Sequence, residues 1–97
     1  IRGVTADGPW SQASPPLTGD YWAEGPTAIK VGGEYRVYFD KHMLNAIGMV
    51  RSRDLVTWED MSAKVSFPKN ARHGCIVAVP RSLVERLLEL SAEKRQP

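Results

Sequence analysis

The chain has little of what would assign it at a glance. It holds a single cysteine, Cys75, among 97 residues, so no internal disulfide can staple it and the redox compartment stays open. No apolar run approaches the ~18 residues of a membrane-spanning helix, and no signal peptide is visible. The chain begins at Ile1 without Met, in mid-pattern, which leaves room for an upstream signal. Neither sign of charge is in excess. Lys and Arg number 13 against 11 Asp and Glu, interspersed, for a net charge of +2. Nothing in that balance suggests nucleic acid or a membrane surface as a partner. The basic residues that do cluster, Lys94 and Arg95, lie in a terminal tail. What is present is ordinary for a globular protein, with 42% hydrophobic and 25% charged residues. This length allows one small domain that buries only ~60–65% of its unfolded surface.

The patterning reads mainly β. Residues 1–20 are rich in Gly, Pro and Ser, with a short strand expected from Trp10 to Ser14 before Pro15-Pro16 ends regular pairing. Thr27 to Val31 is a strand, Gly32-Gly33 a hairpin signal, and Glu34 to Asp40 the returning strand. Along that return Tyr35, Val37 and Phe39 share one face, and Arg36 and Tyr38 the other. Ala46 to Ser52 and Thr57 to Asp60 complete a four-stranded antiparallel meander. His73 to Val79 is almost wholly apolar and reads as one more strand, in which Cys75 should be a buried, inert thiol. Pro80 stops it. Leu83, Val84, Leu87, Leu88 and Leu90 then recur at helical spacing, so residues 82–94 should form an amphipathic helix, with Ser82 and Glu85 as a capping box. The face serves packing or, alternatively, a partner.

One motif occurs twice. Arg51-Ser52-Arg53-Asp54-Leu55-Val56-Thr57-Trp58 has a compressed echo in Thr5-Ala6-Asp7-Gly8-Pro9-Trp10, with the two Asp residues 47 positions apart. A period of roughly 40–50 residues in a strand-rich chain is that of propeller blades. Asp would cap the turn amides, and Trp10 and Trp58 would cover the blade edges. The chain thus reads as a single partial β-propeller domain over residues 1–97: one full blade, flanking strands and a C-terminal helix. Such a part-ring cannot bury both faces of its sheets. It calls for the remainder of a longer propeller or for assembly as a homo-oligomer.

Ala23-Glu24-Gly25-Pro26-Thr27, Val37-Tyr38-Phe39-Asp40-Lys41, Ser52 to Asp60 and Ala71-Arg72-His73-Gly74 occur in the order seen in glycoside hydrolase family 43. The chain resembles the C-terminal part of that family's five-bladed propeller, as in its arabinofuranosidases and xylosidases, over about residues 8–90. The resemblance implies that Glu24 is the general acid that protonates the departing glycosidic oxygen. Such an acid must hold its proton near neutral pH, which apolar walls or a neighbouring carboxylate favour. Tyr21, Trp22 and Pro26 are placed to supply walls, and the first two to stack on a sugar. Without the resemblance Glu24 reads as a solvated loop glutamate.

Inversion needs a second carboxylate ~6.5–9.5 Å away to activate water. The family places that base, and a third carboxylate that tunes the acid, on earlier blades. Asp7, Asp20 and Asp40 are poor local matches, and Asp40 reads as a strand-end cap or a partner of Lys41. His73 is either a calcium-associated residue on the propeller axis, as the resemblance implies, or a hydrogen-bonded channel histidine. Calcium prefers six to eight oxygens, so the rest of its shell would be waters or other blades. No cofactor is required by the sequence. Arg72 suits a sugar hydroxyl or the carboxylates. His42 either borders a sugar subsite or is solvated loop.

Three functions follow. The chain is a glycosidase segment acting on arabinose- or xylose-containing polysaccharides or oligosaccharides, a non-catalytic carbohydrate-binding or assembly module, or an inactive fragment. The resemblance implies a secreted or periplasmic setting.

Overall fold

The alternation of side chains along residues 34–41 decides which residues share a face. The structure, a computed structural model, describes residues 1–95. Strands β1 (Ala23–Val31), β2 (Glu34–Lys41), β3 (Ala46–Ser52) and β4 (Glu59–Asp60) form one antiparallel sheet in chain order. Gly32 and Gly33 both take positive φ, 54° and 82°, as a two-residue primed turn requires, and they pair Val31 with Glu34. A C-terminal helix, α1 (Arg81–Lys94), follows a long irregular stretch. The class is mainly β with one helix.

On one face Val37 and Phe39 stand opposite Val50 and Gly48. Phe39 and Val50 are buried there, and Met49 is buried on the other side of β3. Gly48 is what lets the Phe39 ring lie across β3: a Cβ at that position would come within 2.6 Å of Phe39 Cε2. Tyr21 stacks on Phe39 with centroids 5.9 Å apart, and its hydroxyl donates to Asp60 at 3.1 Å. Burial first, and then the Asp60 carboxylate, hold the Tyr21 phenol above its ordinary value. On the opposite face Phe67 meets the Tyr38 ring edge-on at 6.0 Å. Glu34, buried at the start of β2, takes the Arg36 guanidinium at 2.7 Å, the main reason its carboxyl is held low.

The motif around Asp54 forms the expected turn. Asp54 Oδ1 accepts the N–H groups of Thr57 and Val56, both at 2.8 Å, while Ser52 Oγ accepts that of Leu55. These donors hold the Asp54 carboxyl at about 2, against an ordinary 3.8. The echo is built differently. Thr5 closes its turn, the carbonyl accepting the Gly8 N–H and the hydroxyl donating to the Gly8 carbonyl. Trp10 lies over Gly3 and Gly8 and stays largely exposed, whereas Trp58 is half-buried with its Nε1 donor unpartnered.

Four expectations need correction. Trp10–Ser14 is no strand; Trp10 makes a single bridge with Gly3. Residues 73–79 are irregular, and Cys75 is exposed. A strand needs a ladder partner, and here side chains take the amides instead: Asp40 that of His73, and Thr27 Oγ1 that of Ile76. Ser82 does not cap α1. Pro80 holds the cap position at φ −58°, its carbonyl accepts the Leu83 N–H, and no side chain caps the helix.

Gly48→Ala should destabilise the fold by about 1–3 kcal/mol through overpacking against Phe39, read from the urea midpoint. The Asp54 carboxyl is depressed in the folded chain, so the stability it contributes is present above its ordinary pKa and lost as pH falls toward 2. Urea midpoints measured between about pH 5 and pH 2 should fall less steeply for Asp54→Asn than for the parent chain.

Candidate functional site

Counting outward from the Gly32-Gly33 turn brings residues 24 and 25 opposite 40 and 41. A bulge between Glu24 and Thr27 then shifts the register so that Glu24 pairs directly with Asp40. Direct partners share a face, so two carboxylates meet at one end of the sheet. Gly25 carries the bulge at φ 58°, and its missing Cβ matters: a methyl there would stand 3.3 Å from the His73 ring. His73 therefore lies over the Gly25 backbone.

Asp40 is the anchor of the group. It is 3% exposed and saturated with donors. Its Oδ1 accepts the His73 backbone N–H at 3.1 Å; its Oδ2 faces Arg72 Nε at 3.4 Å and His73 Nε2 at 3.1 Å. Glu24 is half-buried, and its Oε1 stands 3.1 Å from His42 Nδ1, 3.5 Å from His73 Nε2 and 3.6 Å from Arg72 Nη2. Arg72 Nη2 also reaches within 3.4 Å of His42 Nδ1. The permanent guanidinium cation thus bridges the two carboxylates, with both imidazoles of the chain against Glu24. Trp22 braces His42. Its carbonyl accepts the His42 N–H at 2.9 Å, and the two rings pack at 4.3 Å between centroids. Most of the Trp22 ring remains open, at 63% exposure. A cavity of about 200 Å³ adjoins the group, with Gly25, Asp40, Arg72 and His73 at its polar end and Tyr38 and Phe67 among its walls.

The fold brings Glu24, Trp22, His42, Arg72 and His73 together. Tyr21 is not among them. It stacks on Phe39, which faces away from Asp40 in the pleat, so it neither walls Glu24 nor shares its surface. Asp40 is the residue that local reading missed. It does not pair with Lys41, whose ammonium sits 4.5 Å from the Tyr21 ring centroid on the far face. The plain hairpin register would set Glu24 opposite Lys41, and only the bulge at Gly25 moves it onto Asp40.

Glu24, Asp40 and His73 bring one ligand atom each within 4.8 Å of one another. By themselves they do not fit calcium. The set offers one nitrogen and two carboxylates, Asp40 is already saturated, and the Arg72 cation stands among them. No known protein family, curated protein or solved structure matches the chain.

Asp40→Ala should strand the Arg72 side chain and the His73 amide and cost about 1–3 kcal/mol. In hydrogen-exchange NMR the His73 amide should exchange faster in Asp40→Ala than in the parent chain, while amides at Asp54 to Thr57 are unchanged.

Proposed function

We propose that the chain is a glycoside-hydrolase-like propeller segment in which Glu24 is the general acid for hydrolysis of arabinose- or xylose-containing glycans. The observation that carries the reading is the convergence of Glu24, Asp40, His42, Arg72 and His73 from three separated stretches, with Asp40, Arg72 and His73 also lining a cavity of about 200 Å³. Glu24 would donate its proton to the glycosidic oxygen, and His42 at 3.1 Å is the nearest group able to return one. Arg72 steadies the anion left behind. Asp40 holds Arg72 and His73 in place; it is a positioning residue. It is not the base of an inverting reaction, because that base must stand far enough from the acid to admit water. Glu24 and Asp40 bring carboxylate oxygens within 4.8 Å of each other at one end of the sheet and leave no such gap.

The base must then come from another blade, supplied by a second copy or by further chain. The exposure of the unpaired 73–79 stretch, with Val77 and Val79 open to solvent, supports a missing neighbour. The second reading is a non-catalytic carbohydrate-binding or assembly module. It is favoured by the engagement of Glu24 with three basic side chains, an arrangement that also suits hydroxyl binding.

Hydrolysis of nitrophenyl arabinofuranoside and xyloside by the assembled protein separates the two. Turnover that falls about 100-fold or more in Glu24→Gln upholds the acid assignment. Equal rates from both proteins remove Glu24 from the mechanism, and saturable sugar binding without turnover selects the second reading.

A further inference from the structure

We infer that α1 pairs antiparallel with α1 of a second copy of this chain. The helix has no cover of its own: none of its residues is buried, and Leu83, Val84, Leu87, Leu88 and Leu90 are all open to solvent. A lone helix of 14 residues is marginal in water, so its apolar stripe needs a partner to persist.

Charge selects the partner and the direction. Written as a heptad, Leu83 and Leu90 fall at d, Leu87 and Lys94 at a, and Arg86 and Glu93 at g. In an antiparallel pair, Leu87 packs against the partner's Leu90, and the reverse contact follows by the two-fold axis. The g positions then face each other, which sets Arg86 beside the partner's Glu93 on both flanks. Within one helix Arg86 already reaches Glu89 at 3.1 Å and Glu93 only at 4.0 Å, so the Glu93 carboxylate is the one left to answer across the seam. A parallel pair would instead set Arg86 beside the neutral Ser91, with no charge pairing gained. The helix ends agree with the antiparallel choice. The first turn carries Arg81 and no acid, a poor match to the positive end of its own dipole, and an antiparallel partner brings its negative C-terminal end alongside. The pairing is independent of the glycosidase reading, since no site residue takes part in it.

Sedimentation equilibrium of the whole chain from about 5 µM to about 1 mM spans the range that small interfaces require. The average mass should climb from the 10.8 kDa monomer toward twice that value. Leu87→Glu should hold it at the monomer, with circular dichroism showing that the sheet survives. Arg86→Glu alone and Glu93→Arg alone should each weaken association about tenfold, and the double variant should recover it, because the swapped pair is again complementary. A mass that stays at the monomer throughout overturns the pairing. So does association that Leu87→Glu leaves unchanged, which would place the contact on the sheet. Failure of the double variant to recover overturns the antiparallel register.

Discussion

A carboxylate withdrawn from water holds the irregular stretch before the C-terminal helix to the sheet. Burying an ionised Asp is unfavourable by several kcal/mol unless donors replace the lost water. Asp40 finds them in the guanidinium of Arg72 and in the backbone and ring of His73, more than thirty residues further on. The loop has no strand partner and contributes little apolar burial, so these polar bonds are what fix its path. Because the path is fixed, Arg72 and His73 arrive at Glu24, which the β1 bulge has already turned toward the same end of the sheet. Site and tertiary structure are therefore one interaction seen twice.

The apolar side of the account is thin. Phe39, Met49 and Val50 are the hydrophobic residues buried among those described, while Leu and Val residues of the 77–90 region stay exposed. A four-stranded sheet covered on part of each face keeps its shape through hairpin register and polar turns more than through a core. The Asp54 turn and the Glu34–Arg36–Arg51 pairing act in that way at the sheet end remote from Glu24. Such a molecule has apolar surface to spare, and both the bare helix and the unpaired 73–79 stretch present it.

What could be read from the residues divides along the same line. The hairpin at Gly32-Gly33, the alternating β2 and the Asp54 turn were legible because each is decided within a few residues of itself. The 73–79 stretch was misread because apolar, β-branched residues state a preference that only a neighbouring strand can realise. Ser82 looked like a cap by type, but Pro80 two residues earlier had already set the chain direction. Asp7 looked like Asp54, yet Thr5 supplies the oxygens its turn uses. Glu24, Arg72 and His73 were legible from motifs in order, and Trp22 and His42 from their places just outside them. Asp40 was not, since its local surroundings offer Lys41 as an obvious partner and only the bulge in β1 brings Glu24 opposite it.

On the partial-propeller reading, a neighbouring sheet would bear on chemistry as well as on stability. On the glycosidase reading, Glu24 lacks a carboxylate at the distance an attacking water requires, and Asp40 is spent on holding the loop. The 73–79 stretch lacks the strand that would pair its amides beyond His73 and Ile76. Both deficits lie on the same side of the molecule, since the stretch begins at His73, whose ring touches both carboxylates. A neighbouring sheet that paired with it would cover Val77 and Val79 and would bring its own side chains up to the cavity beside Gly25. Completion of the fold and completion of the site are then a single event, and an isolated chain that held its shape without such a neighbour would still be short of a base.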